Sequence, residues 1–117
     1  MIMGIERIAN QAARGMVKTR RPFEGSHLFA REHVPEHQHT VLYVVYSYGE
    51  HFPLFVAETD DQNRTVWYEN ADRYSVTTSK HRTQTHPHFD CIPMTTQAMR
   101  RLARDGIAGL AAKGELQ

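Results

Sequence analysis

The hydrophobic pattern is densest in the middle of the chain. "TVLYVVYSY", residues 40–48, is β-branched or aromatic at nearly every position, with Leu42, Val44 and Tyr46 alternating against Val41, Tyr43 and Val45. Both faces are apolar, which predicts a central strand covered on each side. Gly49-Glu50 offers a two-residue loop of type II′. "HFPLFVAET" then returns with Phe52, Leu54 and Val56 on one face and Phe55 and Ala57 on the other. Pro53 has no amide to donate, so it belongs at an edge, a bulge or a strand start. "DDQN" makes the next turn and "RTVWYEN" a third strand. In "RYSVTTSK", Tyr74, Val76 and Thr78 alternate as a fourth strand would, ahead of a polar loop.

Helical periodicity appears towards the two ends. Ile5, Ile8, Ala9, Ala12 and Met16 recur at three- and four-residue spacing, which predicts an amphipathic helix over 5–18. Arg21, ahead of Pro22, is pushed out of helical geometry. Near the other end, Thr95 or Thr96 can cap a helix over 96–112, whose buried stripe runs through Met99, Leu102, Ala103, Gly106, Ile107, Leu110 and Ala111. Gly106 on that stripe would let the helix approach the sheet closely. Residues 21–39, punctuated by Pro22, Gly25 and Pro35, show no clear period and read as a connection with one short element. The expected fold class is α+β: a small antiparallel sheet of three to four strands, with its meander over 40–79, packed by N-terminal and C-terminal amphipathic helices.

Length and composition narrow this picture. A chain of 117 residues suits a single domain over 1–117 with a modest core. No apolar run reaches the roughly eighteen residues of a membrane span. The first stretch, broken by Glu6, Arg7 and Asn10, is wrong for a secretory signal. One cysteine, Cys91, permits neither an intrachain disulfide nor a cysteine-only metal site. A cytoplasmic protein with no cofactor is the expectation. The net charge of +1 hides an uneven distribution: Arg73, Lys80, Arg82, Arg100, Arg101 and Arg104 face Asp90 alone.

The chemistry concentrates in "YSVTTSKHRTQTHPH", residues 74–88. Hydroxyls and basic side chains in an irregular segment suit phosphate oxygens or a polar partner. Ser79, Lys80, His81 and Arg82, supported by Arg100, Arg101 and Arg104, are the expected contacting surface. Histidines two apart, His37 with His39 and His86 with His88, would place four nitrogens for zinc if they met, with Asp90 and Cys91 following. Their spacing matches no common zinc motif, so no metal ligand is assigned. No catalytic residue is assigned either, since the chain has no Gly-rich phosphate loop, nucleophile elbow or kinase signature. "TTS" has a faint likeness to the serine-threonine-serine strand of ADP-ribosyltransferases, but the paired glutamates that should follow are missing. Aromatics on the sheet would serve a core, a protein interface or a stacking platform for bases.

The run "YVVYSYGEHFPLFV", then "VWYEN", then "YSVTTSKHRTQTHP" resembles small accessory proteins of bacteriophages and related mobile elements. The resemblance spans roughly residues 43–87 and is carried by Tyr48-Gly49, His51, Pro53, Trp67, Asn70 and the segment from Tyr74-Ser75 to His81. It implies a setting, a phage or prophage gene acting in a bacterial cytoplasm, and no residue roles. In that setting the expected function is stoichiometric binding of a host protein or nucleoprotein complex, as an anti-CRISPR-like inhibitor of a defence complex. The alternatives are nucleic-acid binding in phage replication or regulation, and a small metal-dependent enzyme using the His-rich segments. No membrane partner is expected, and an unpaired sheet edge would allow a homodimer.

Overall fold

The computed structural model describes residues 5–36, 39–72 and 75–112. Its strands are β1 (Glu6–Arg7), β2 (Phe23–Glu24), β3 (Leu28–His33), β4 (Val41–Ser47), β5 (Pro53–Thr59), β6 (Thr65–Asn70) and β7 (Cys91–Met94), and its α-helices are α1 (Ala13–Lys18), α2 (Val76–Thr85) and α3 (Thr96–Ala112). All the strands join one sheet in sequence order. β2 to β6 run antiparallel, while β1 lies parallel to β2 and β6 parallel to β7. The expected antiparallel sheet of three to four strands is therefore corrected to a mixed sheet of seven strands with a third helix.

Each parallel pair needs a crossover, and a helix makes it in both cases: α1 between β1 and β2, α2 between β6 and β7. β1 and β6 point the same way, and both crossovers advance in the same direction across the sheet. Crossovers of equal hand then place both helices on one face. α1 and α2 do pack against each other there. That face buries Ala13, Met16, Val17, Phe23, Leu28, Tyr43, Val45, Phe55 and Trp67. α3 covers the other face, where Met99, Leu102, Ala103 and Leu110 meet Leu42, Val44, Tyr46, Val56 and Tyr68. β4 is buried on both sides because a helix layer lies over each.

Four local readings need correction. Residues 5–18 are not one helix: β1, a 3-10 turn at Asn10–Ala12 and the short α1 follow one another. The backbone of residues 6–8 is committed to β2, with Ile8 N donating to Glu24 O at 3.0 Å. Helical turns therefore begin only at Asn10, whose side-chain amide donates to Ser26 O at 3.0 Å and whose Oδ1 accepts from Ser26 N at 2.9 Å. Residues 21–39 hold two strands, and β3 pairs with β4 along its full length. The β4–β5 connection is longer than a two-residue loop, closing with Phe52 N on Gly49 O at 3.1 Å, with Tyr48 left-handed at φ 67°. Pro53 opens β5 beside a register shift that leaves both Leu54 and Phe55 on the α1–α2 face.

The fourth correction concerns Gly106. It has φ 74° and ψ −179°, a conformation reserved for glycine, and it interrupts α3. The amide just beyond the break, Ile107 N, donates to Glu58 Oε1 at 2.9 Å. A buried glutamate from β5 thus caps the second half of the helix. Gly106 is buried on the expected stripe, and its backbone conformation in addition requires glycine. The side chain of Ala111, placed on the same stripe, lies outside the described residues, as do Arg73 and Tyr74.

Candidate functional site

The segment expected to be a fourth strand and a loop is α2. Ser75 is its N-cap, with an extended backbone and a side chain that accepts from Thr78 N at 3.2 Å. The buried positions are Thr78, His81 and Thr85, spaced as a helical stripe should be but entirely polar. Val76, placed on the inner face of a strand by alternation, is 89% exposed. Hydrogen bonds do the docking that apolar contacts do elsewhere. Ser47 Oγ of β4 lies 2.8 Å from His81 Nδ1 and donates to Thr78 Oγ1 at 3.4 Å, while within α2 Thr85 Oγ1 donates back to His81 O at 2.8 Å. Burial holds His81 below the usual histidine range, and the neighbouring His27 and Lys80 push it the same way.

Arg14 ties the two helices together. Its Nε donates to His86 O at 2.9 Å and its Nη2 to Thr83 O, so a guanidinium closes the carbonyl end of α2. Beside it, Glu69 of β6 receives Arg82 Nη2 at 2.7 Å. His86 Nε2 stands 3.6 Å from the same Glu69 oxygen, and the His86 ring meets Phe55 edge-on. Cys91 opens β7 next to this group. Burial and the Glu69 charge push its thiol up to about 11.

Glu69, His86 and Cys91 offer ligand atoms within 4.8 Å of one another, a donor set that zinc accepts. Two features oppose a cation there. Arg82 already places its charge on Glu69. His86 Nδ1 accepts from His88 N–H at 3.0 Å, which puts the ring proton on Nε2, the nitrogen facing Glu69. An Nε2–H is a donor, not a ligand. Of the four histidines considered for zinc, His37 lies outside the described residues, and His39 is exposed ahead of β4.

The expected contacting residues divide across the sheet. Ser79 and Lys80 are exposed on α2, His81 is buried beneath them, and Arg82 is paired with Glu69. Arg100, Arg101 and Arg104 belong to α3 on the opposite face, where Arg100 Nε donates to His51 O at 2.6 Å and Arg104 Nε pairs with Asp105. They cannot join the α2 residues in one patch. In their place α1 brings Arg14 against the end of α2 beside Arg82, with Lys18 exposed further along α1, and neither α1 nor α2 contains an acidic residue. Sequence reasoning missed Arg14 and Glu69. The absence of acids from both segments was legible, but the crossover that makes them neighbours was not.

At one end of this face His27 stacks on Tyr48, with ring centroids 4.9 Å apart. Both residues are left-handed, at φ 53° and 67°, and Tyr48 also meets the His81 ring. No protein-family model, curated protein or solved structure matches this chain. Among the described residues, no helix is long and apolar enough to cross a membrane.

Proposed function

We propose that the protein acts by stoichiometric binding, engaging an acidic surface of a host protein or nucleoprotein complex through the α1–α2 face. The observation that carries this reading is the pairing of two acid-free helices on one side of the sheet, with Lys18 and Lys80 exposed on them. A predominantly basic face steers an oppositely charged partner and fixes its register. The likeness to phage accessory proteins supplies the setting, a bacterial cytoplasm, and the proposed role is inhibition of a defence complex in the anti-CRISPR manner.

The test is charge reversal. The Lys18→Glu, Lys80→Glu double variant should fold normally and lose capture of the host complex that the wild type retains in one-to-one proportion. Retention of that complex by the variant would defeat the proposal.

A second reading, single-stranded nucleic-acid binding, is favoured by the His27–Tyr48 stack, because an exposed ring beside basic groups suits a base. The two part in salt. Nucleic-acid binding should weaken steeply and log-linearly with salt, since each phosphate contact releases counterions, while a protein interface with an apolar centre should hold. The metal-dependent enzyme is the weakest reading, for the reasons of charge and tautomer at Glu69 and His86.

A further inference from the structure

The geometry points to a phosphoryl-binding pocket between α1 and the end of α2, lined by Arg14, Arg82, Thr83, His86 and His88, as the anchor point of the basic face. The inference deepens the binding function proposed above and rests on it for its setting. The cavity measures about 240 Å³, and no acid lines it. It is smaller than the roughly 300–1,000 Å³ of pockets that enclose a whole small molecule, so it suits a single charged group.

Its walls are rich in donors. Arg14 spends Nε and Nη2 on the two carbonyls that end α2, which offsets the negative end of that helix and leaves its charge near the cavity. Arg82 gives Nη2 to Glu69, while its Nε is buried without a hydrogen-bond partner. That nitrogen has no accessible surface, so Arg82 contributes its charge to the cavity rather than this donor. His86 also lines the cavity, with its Nδ1 occupied by the His88 amide and its Nε2–H turned towards Glu69 at 3.6 Å. His88 itself is left-handed at φ 62°, the kind of local strain that collects at binding sites. Guanidinium groups match phosphate oxygens in geometry as well as charge. Guanidinium groups approaching from α1 and from α2 suit a terminal phosphoryl group with three free oxygens, a phosphomonoester rather than a through-running diester.

Glu69 competes with any anion for Arg82, and this makes the proposal sharp. Titration with inorganic phosphate, followed by the imidazole nitrogen resonances of His86 and His88, should show saturable shifts that equal acetate does not produce. Glu69→Gln should tighten phosphate about tenfold by releasing Arg82, and Arg82→Gln should abolish binding. A purely structural role for the ion pair would move both variants in the same direction, and thermal melts of each confirm that they fold.

Phosphoserine should then bind more tightly than a single-stranded oligonucleotide of equal phosphate concentration. Unmoved histidine resonances, equal response to acetate, no gain in Glu69→Gln, preference for the oligonucleotide, or stabilisation by zinc in place of phosphate would each overturn the inference. Absence of phosphate binding by the wild-type protein, with the host complex still captured, would refute the pocket and spare the face. Phosphate binding that persists while charge reversal at Lys18 and Lys80 has no effect on capture would do the opposite.

Discussion

Ser47 Oγ and His81 Nδ1 lie 2.8 Å apart, both buried where α2 rests on β4. The pair shows how a helix with no apolar stripe is held to a sheet. One ring nitrogen bonds the strand, Thr78 Oγ1 accepts from Ser47 Oγ at 3.4 Å, and the charge state of one imidazole decides how well the helix sits. A protonated His81 would keep a donor for Ser47. It would also place a charge in a desolvated site whose nearest titratable neighbours, His27 and Lys80, are themselves basic.

This arrangement predicts acid sensitivity. The folded pKa of His81 lies below the ordinary 6.5. The unfolded chain therefore binds its proton first as pH falls, and the stability that neutral His81 contributes is complete above the unfolded value and lost as pH drops through the folded one. His86, also lowered chiefly by burial, adds a slope of the same sign. Urea unfolding at pH 7.5 and at pH 5 should show lower stability at pH 5. His81→Gln should narrow that difference, and an unchanged pH dependence in the variant would show that His81 is not the sensor.

The helical state of residues 76–85 is tested by two substitutions with opposite expectations. Ser75→Ala removes the cap on Thr78 N and should cost about 1 kcal/mol. Val76→Gln, at a fully solvated position, should stay within about 0.5 kcal/mol of wild type. A strand would reverse the order, since Val76 would then be inside and Ser75 outside. Paired urea melts decide it.

What was legible in the sequence follows the physical cause of each element. β4, β5 and β6 announce themselves because the residues they bury are mostly apolar, β-branched or aromatic, in runs of strand length. α3 does so because Met99, Leu102 and Leu110 mark a helical stripe. α2 does not, because Thr78, His81 and Thr85 are buried through hydrogen bonds that hydropathy cannot register. β1, β2 and β7 are short pieces at the two ends of the sheet whose existence depends on neighbours, and β7 even contains Pro93. For the candidate site, Lys80 and Arg82 stood out by composition. Their partners did not: Glu69 and Arg14 are ordinary residues until the two crossovers bring them against α2.

Gly106 carries a strong expectation of its own. At φ 74° and ψ −179° an added Cβ is strained, so Gly106→Ala should destabilise by about 1–3 kcal/mol even though alanine is the better helix former. Glu58→Ala should cost about 1 kcal/mol through loss of the acceptor for Ile107 N. Thermal unfolding of both variants provides the check. A stabilised Gly106→Ala protein would mean that α3 runs unbroken.

The basic residues of α2 should separate in their effects. Lys80→Ala removes an exposed charge with no role in packing and should leave the melting temperature unchanged. Arg82→Ala breaks the 2.7 Å pair with Glu69 at a half-exposed position and should cost up to about 1 kcal/mol. Differential scanning calorimetry of the single variants separates the two. Equal losses would place Lys80 in the fold rather than on the binding face.

Cys91 bears on whether thiol chemistry belongs to this protein. Burial, reinforced by Glu69, raises its pKa to about 11 from an ordinary 9.0. The thiolate is the nucleophile, so at neutral pH the reactive fraction falls about a hundredfold below that of a free cysteine. Alkylation by iodoacetamide at pH 7.5 should be correspondingly slow and should accelerate steeply up to about pH 11. Glu69→Gln removes the repelling carboxylate and should speed the reaction, whereas Arg82→Gln, which removes the opposing positive charge, should slow it further. Fast alkylation of the native protein at neutral pH would require a lowered pKa, and with it a nucleophile that the burial of Cys91 beside an acid does not supply.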